Sequence, residues 1–290
     1  MAETTQDTTK PVAHERISAE VKSEAEAAGR EVEKEKAKTE APVEEAVQVL
    51  AQTREVLEAL EQQDTAKALD VLAHLIGRLE ILVSRYPQLQ LLPVGQRSQV
   101  IDIHADIDSI KAAEKRAKKL LDDGEIQAAR QIIRYLASEI VLITDYLPLA
   151  EFPELIKRVV PLIDAGRLDE ARQALIAALN TVTSMENIVP LPVVRAQLML
   201  QRAKQLSEEK EPNQEEILRL VEAARYQVQM AEVLGYGRIK EDYPELYQLL
   251  SELESKTKEA KGGTGELFAK LENALSAMRE RLFSHRYEQK

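Results

Sequence analysis

The stretch Asp102-x-His104-x-Asp106 carries the residue types in this chain that are best suited to chemistry. If these residues belong to a β-strand, side chains two positions apart share a face, and the imidazole lies between two carboxylates. Such a face could bind a divalent metal or hold the histidine charged near neutral pH. The spacing lacks the multi-ligand pattern of zinc or di-iron sites. The sequence therefore favours a solvated strand face over a metal site.

Few other residues could form a catalytic centre. The chain has no Cys and four His, which excludes thiolate catalysis, Cys-based zinc sites and disulfides. It also leaves few ways to form a Ser/His triad. His74 lies among apolar residues of a predicted helix and is interpreted as a core or interface histidine, while His14 and His285 fall near the chain ends. We expect no catalytic residue, no cofactor and no enzymatic activity.

Four residues are candidates for contacts with a ligand or an interface: Arg195, Arg225, Tyr226 and Tyr236. Both arginines lie in predicted helices, where an ion pair with a carboxylate is favoured over a ligand contact. Tyr236 stands between two glycines directly after a helix. This pattern predicts a helix C-cap, with the tyrosine packing back, rather than a phosphate-binding loop.

The charge of the chain restricts its partners. There are 39 Lys and Arg against 50 Asp and Glu, a net charge of −11, so we expect no binding to nucleic acid. Lys111, Lys115 and Lys118 form a basic stripe at helical spacing. A solvated helix face is the favoured interpretation, and an acidic ligand or an acidic face of another subunit is the alternative.

No apolar run reaches the length of a membrane span, so no membrane contact is predicted. Residues 1–41 contain no apolar stretch of the kind that a secretory signal needs. They are predicted to be a disordered charged tail, in which a weak stripe from Ile17 to Val32 could form a helix on a partner. The protein is expected to be soluble and cytoplasmic.

Beyond the tail, apolar residues recur at helical spacing and one hairpin pattern repeats. Leu60–Gln63 is followed by Ala68, Leu121–Gly124 by Ala129, and Ile163–Gly166 by Ala171. Gly124 and Gly166 are predicted to adopt a positive φ at helix ends. The alanine five residues later is small enough for a paired helix to approach. Such hairpins bury their apolar faces by stacking, in the manner of tetratricopeptide repeats.

The predicted fold class is all-α, with stacked helical hairpins and a short two-stranded β element. Residues 100–107 alternate apolar and polar side chains, and 139–144 are rich in β-branched residues, so these are the two predicted strands. A helix is the alternative for each. The predicted organisation is a hairpin domain over 43–255, a flexible linker over 256–265, and an amphipathic C-terminal helix over 266–284.

Three segments carry a family resemblance: TDYLPLAEFPELIKRVVPLIDAGRLDEARQALIAAL (144–179), IVPLPVVRAQLMLQRAKQL (188–206) and LVEAARYQVQMAEVLGYG (220–237). A proline-rich entry to a helix, the PLP start and the LGYG stop resemble the YfdX family of bacterial proteins, over roughly residues 45–250. The resemblance implies a mainly helical bacterial protein that is associated with stress responses in some members. It implies no established enzymatic activity and no catalytic residue.

The leading hypothesis is a non-catalytic, stress-associated protein that acts through protein–protein contacts. We expect it to form a homo-oligomer. The alternative is a helical module that binds a peptide or a small ligand between hairpins. A metal-dependent enzyme is a third class, and it depends on Asp102, His104 and Asp106 alone.

Overall fold

The computed structural model describes residues 43–259 and 263–284. The helices are α1 (Glu44–Glu61), α2 (Thr65–Arg85), α3 (Ile107–Asp122), α4 (Ile126–Ile133), α5 (Phe152–Lys157), α6 (Val159–Asp164), α7 (Leu168–Leu179), α8 (Leu191–Ser207), α9 (Gln214–Val233), α10 (Asp242–Lys258) and α11 (Thr264–Ser284). The strands are β1 (Leu91–Ile101), β2 (Glu139–Pro148) and β3 (Thr183–Pro190). The predicted tail, residues 1–41, lies outside the described residues, as do His14 and His285.

The fold is mainly helical, as predicted, but it is not all-α. The three strands form one antiparallel sheet in the order β1-β2-β3, where the sequence predicts two strands. β2 contains the predicted strand 139–144. β1 and β3 each contain a proline and do not alternate regularly between buried and exposed residues, and such runs give a weak strand signal.

The predicted strand over residues 100–107 is wrong. Only Val100 and Ile101 belong to β1, and Ile107 begins α3. The side chain of Asp106 accepts a hydrogen bond from the backbone N–H of Ser109 at 2.7 Å. This N-cap fixes the start of the helix, so residues from Ile107 onward are not part of the strand. The alternation of apolar and polar residues is a weaker local signal than the cap.

Three turns between helices repeat one motif. Gln63, Gly124 and Gly166 have φ of 58°, 79° and 70°, so the predicted positive φ at both glycines is confirmed. After each, the next N–H donates to the carbonyl five residues earlier, at 2.9, 2.8 and 2.9 Å. This bond is that of a Schellman motif. The alanines that follow, Ala68, Ala129 and Ala171, are fully buried. Stacking of successive hairpins stays a prediction.

The described chain divides into two compact units, where the sequence predicts one hairpin domain. The first unit comprises residues 43–98 and 142–186, and its core includes Leu72, Leu79 and Phe152. The second comprises residues 99–141, 187–259 and 263–284, and its core includes Leu200 and Tyr243. All three division points fall within strands.

The C-terminal helix α11 packs within the second unit. Its apolar stripe, including Leu267, Leu271, Leu275 and Met278, is buried, and the helix contacts α8 and α10. α10 extends to Lys258 and α11 begins at Thr264, so helices occupy both ends of the predicted linker. This stripe is therefore already covered by its own chain.

His74 is not a core residue. It is exposed on α2, and its Nδ1 lies 2.9 Å from the carbonyl oxygen of Asp70. The apolar neighbours in sequence point to other sides of the helix because successive residues are rotated by about 100°.

Candidate functional site

Asp102 and Arg195 form a partly buried ion pair within the second unit. Arg195 donates to both carboxylate oxygens of Asp102, at 2.6 and 3.3 Å, and the Ser138 hydroxyl donates to the same carboxylate at 2.6 Å. The two charged side chains are about a quarter exposed or less. A bidentate arginine–carboxylate pair fixes both side chains in one geometry. It holds the segment that leads into α3 against α8.

Tyr236 extends this network. Its hydroxyl accepts a hydrogen bond from the backbone N–H of Ser138 at 2.9 Å and donates to Glu139 at 2.8 Å. Gly235 and Gly237 both have positive φ, and the N–H of Tyr236 donates to the carbonyl of Ala231. The ring is buried, as the predicted C-cap with a tyrosine packing back requires.

The pKa values of this network follow from burial and its hydrogen bonds. Burial acts to raise the pKa of Asp102, but the hydrogen bonds from Arg195 and Ser138 outweigh it and hold the pKa below its ordinary value. Burial, together with the charge of Glu139, raises the pKa of Tyr236. Asp102 is therefore ionised and Tyr236 is neutral at physiological pH. Both states suit a structural network.

The predicted metal-site residues are not brought together as ligands. Asp102 is engaged by Arg195, Asp106 caps α3, and His104 is exposed. Within residues 43–259 and 263–284, no group of three His, Asp or Glu side chains could hold a metal ion. The shared strand face on which the metal hypothesis depended does not form, because the strand ends at Ile101.

Arg225 and Tyr226 lie at a second site, on α9. Arg225 donates to Glu254 at 2.7 Å and to the Ser251 hydroxyl at 3.0 Å, which is the ion pair that the sequence favours. Tyr226 is exposed. Both residues line a cavity of about 730 Å³ together with Asp106, Asp108 and Lys111, and we call it the α9 groove. Its wall also includes Glu232, which accepts a hydrogen bond from Tyr247 at 2.5 Å.

A third site, which the sequence does not indicate as a site, lies along the α3–α4 hairpin. A cavity of about 650 Å³ runs between the two helices, and we call it the hairpin groove. Most of its lining is apolar: Ile103, Ile110, Ala113, Leu120, Ile132 and Leu136. Arg116 and Tyr135 also line it. The signal in the sequence that could have indicated it is the apolar face of each of these two helices.

The same hairpin exposes three large aliphatic side chains that do not line the groove. Leu121, Ile126 and Ile133 are 46%, 61% and 47% exposed, and we call them the hairpin patch. Leu121 follows Leu120 and Ile133 follows Ile132, so each of these two patch residues is turned by about 100° from a groove residue. The hairpin therefore presents apolar surface on more than one side.

The comparisons with known proteins agree with the resemblance. A family model described as YfdX protein matches residues 49–188. Over residues 49–188, the chain belongs to the YfdX family. The match includes the first of the three quoted segments and ends where the second begins, so it is narrower than the predicted range of 45–250. A comparison with curated proteins finds no match.

Among solved structures, the chain is similar to a crystal structure of Salmonella Typhi YfdX. The sequences are 13% identical, the TM-score is 0.36, and the alignment covers 51% of this chain and 91% of that one. In the part of the chain that the structure describes, no helix is long and apolar enough to cross a membrane.

Proposed function

We propose that this YfdX-family protein acts without catalysis, through contacts with other protein chains, and that it forms a homo-oligomer. The hairpin patch carries the proposal. Leu121, Ile126 and Ile133 are large, aliphatic and about half exposed, and they lie within one short hairpin. Covering the exposed part of each would contribute about 1 kcal/mol. A partner chain gains this energy because no described residue of the hairpin's own unit covers the exposed part of these side chains.

The engagement of the titratable candidates supports a non-catalytic role. Asp102 is held by Arg195, Tyr236 is neutral and bonded to Glu139, and Arg225 is paired with Glu254. A general acid or base needs a proton that it can exchange with a substrate near neutral pH. These groups instead hold fixed charge states within a network. The association with stress responses and the cytoplasmic location stay predictions.

The experiment measures the mass of the intact chain in solution. At micromolar concentration and neutral pH, we expect light scattering to give a multiple of the monomer mass of 32.6 kDa. Combining Leu121→Ser, Ile126→Ser and Ile133→Ser should shift the distribution towards the monomer, since the covered apolar area is lost.

A matched control makes the same type of change elsewhere. Ile81, Ile176 and Ile239 are also large exposed aliphatic residues, at 52%, 45% and 55%, and lie outside the hairpin. Replacing these three by Ser should leave the mass unchanged. A mass of about 33 kDa for the unmodified chain would contradict self-association, and equal effects of the two triple variants would contradict the role of the hairpin patch.

The α9 groove favours a second candidate function, the binding of a peptide or a small ligand. It brings an exposed tyrosine, Tyr226, next to the cations Lys111 and Arg225 and the carboxylates of Asp106 and Asp108. Polar groups of both signs beside an aromatic ring can orient a small charged ligand. In a calorimetric screen of amino acids and short peptides, Tyr226→Ala should abolish any heat of binding that the intact chain shows.

A further inference from the structure

The tip of the α3–α4 hairpin carries a charge pattern that is complementary to its own reverse. Residues 116–125 have the sequence RAKKLLDDGE. Counted outwards from Leu120 and Leu121 in the middle, every cation on one side has an anion at the same distance on the other: Lys119 and Asp122, Lys118 and Asp123, Arg116 and Glu125. The remaining two positions, Ala117 and Gly124, are both small. We call residues 116–125 the inverted charge segment.

The charges of the inverted charge segment are free to meet a partner. All six charged side chains are exposed, and no ion pair or side-chain hydrogen bond links any of them to another described residue. Exposed arginines of other helices do pair with a carboxylate three residues away, as Arg167 does with Glu170 and Arg219 with Glu216. The hairpin tip therefore differs from the rest of the charged surface in leaving both signs unpaired side by side.

The helix itself gains little from this arrangement. Lys118 and Asp122 are four residues apart, as are Lys119 and Asp123, but an ion pair with the cation before the anion is the weaker order within a helix. The two aspartates also lie at the C-terminal end of α3, where the helix dipole disfavours negative charge. The pattern is thus better satisfied by contacts with another chain than by contacts within α3.

We propose that two copies of the chain pair through antiparallel inverted charge segments, across a two-fold axis at the middle of the segment. The proposal rests on the proposed self-association and gives it a geometry. In a two-fold contact, residue i of one copy meets residue j of the other, and j meets i. The antiparallel direction therefore places Lys119 against Asp122 and Lys118 against Asp123, each twice. A parallel direction would place like charges against each other.

The same pairing brings the hairpin patch to the contact. Lys115, Lys118 and Asp122 share one face of α3, because they are spaced at i, i+3 and i+7. Leu121 of the hairpin patch follows Lys118 by three residues and so lies at the edge of this face. A two-fold axis that reverses the helix direction leaves this edge on the same side of both helices, so the Leu121 side chains of the two copies lie near each other. Apolar contact then contributes to affinity, and the charges fix the direction of pairing.

The test reverses each half of the inverted charge segment in the full chain. Lys118→Glu combined with Lys119→Glu, and separately Asp122→Lys combined with Asp123→Lys, both place like charges opposite each other. Each double variant should weaken self-association at least roughly tenfold in sedimentation or light scattering. Because each substitution changes the charge by two, the net charge of −11 becomes −15 in the first variant and −7 in the second. General charge repulsion would therefore act on them in opposite directions, whereas the proposed pairing weakens both.

Two combinations should restore association. An equal mixture of the two double variants should form mixed dimers, since each offers the charges that the other has lost. All four substitutions in one chain leave the net charge unchanged and should restore self-association. Lys210→Glu combined with Lys240→Glu, the same charge change at exposed lysines elsewhere, should have little effect. All substituted positions are exposed, and Lys and Glu are good helix formers, so the variants are expected to fold, which circular dichroism checks.

Three results would overturn the pairing: a double variant of the segment that associates as strongly as the unmodified chain, a mixture that associates no more than its components, or an equal effect of the control variant. Weakening by the lysine changes alone would place the partner's anions outside the segment and would also overturn it. A monomeric unmodified chain would contradict the proposed self-association as well. An unmodified oligomer that is insensitive to the charge reversals leaves the proposed function standing and overturns the pairing alone.

Discussion

Two hairpins of this protein share a turn motif and differ in how much they bury. The α1–α2 hairpin buries Leu50, Leu60, Leu72, Leu75 and other large side chains in the core of the first unit. The α3–α4 hairpin buries one large side chain, Ile110, and two alanines. Both turn through a residue with positive φ and place a buried alanine five residues later. The turn motif therefore fixes how two helices pair, and it does not decide what covers them.

The attachment of the second hairpin is polar as well as apolar. Asp102 precedes α3 by five residues and is bound by Arg195 of α8, and Asp106 caps the helix. α3 also contacts α9. An element held in this way keeps its place in the unit while its apolar side chains stay available to a partner. This difference is the basis of the proposed self-association through the hairpin patch.

The largest expected effect compares one leucine from each hairpin. Leu75→Ala in α2 should lower the free energy of unfolding by about 2–5 kcal/mol, because the side chain is fully buried and its removal leaves a cavity. Leu120→Ala in α3 should lower it by less than about 1.5 kcal/mol, since part of the side chain is already in water. Denaturant unfolding of both variants measures the difference. Equal losses would mean that the two hairpins are equally packed.

The polar attachment should be worth less than a core leucine. Arg195→Gln should lower the free energy of unfolding by about 1–3 kcal/mol at pH 7, because the carboxylate of Asp102 loses its bidentate partner in a largely buried setting. Arg167→Gln, which breaks an exposed pair with Glu170, serves as the control and should leave stability unchanged within error.

The pH dependence of this effect has a definite sign. The pKa of Asp102 is lower in the folded protein than its ordinary value of 3.8, so the ionised form is the one that the fold stabilises. The contribution is complete above about pH 5 and is lost as the pH falls through the lowered pKa. Between pH 7 and about pH 4 or below, the free energy of unfolding of the unmodified chain should therefore fall by more than that of Arg195→Gln. If the stability difference between the unmodified chain and Arg195→Gln grew at acid pH, Asp102 would not be the group that Arg195 stabilises.

The sequence predicts the local features well. Gly124, Gly166 and their following alanines are read from short spacings, because a positive φ and a close helix contact are set within a few residues. Tyr236 as part of a C-cap is local in the same sense. The prediction of a strand over 100–107 was wrong because the strand ends at Ile101 and Asp106 caps a helix, and the alternation of polarity shows neither boundary.

The candidate sites depended on distant pairs that the sequence alone does not indicate. Asp102 and Arg195 are 93 positions apart, and Tyr236 and Ser138 are 98 positions apart. The sequence presents Asp102, Arg195 and Tyr236 as separate candidates, and nothing in their spacing indicates that they form one network. The hairpin groove was missed for a related reason. Whether the apolar face of a helix is covered depends on which other elements reach it, and periodicity only shows that the face exists.

The smallest expected effects concern the shared turn itself. Gly124→Val and Gly166→Val should each lower the free energy of unfolding by about 1–2 kcal/mol, because a side chain at positive φ is strained even though no atom lies within 4 Å of the added Cβ.

In the α1–α2 hairpin the same position is Gln63, with φ of 58°. Gln63→Gly should therefore raise stability by up to about 1 kcal/mol, since it removes this strain. Thermal and denaturant unfolding of the three variants would measure these changes. Gly77→Ala serves as the control: Gly77 lies in the middle of α2, where φ is not positive, so this change should not lower stability. If Gln63→Gly were destabilising while Gly124→Val were neutral, the two hairpins would not share a turn, and the comparison between them would lose its basis.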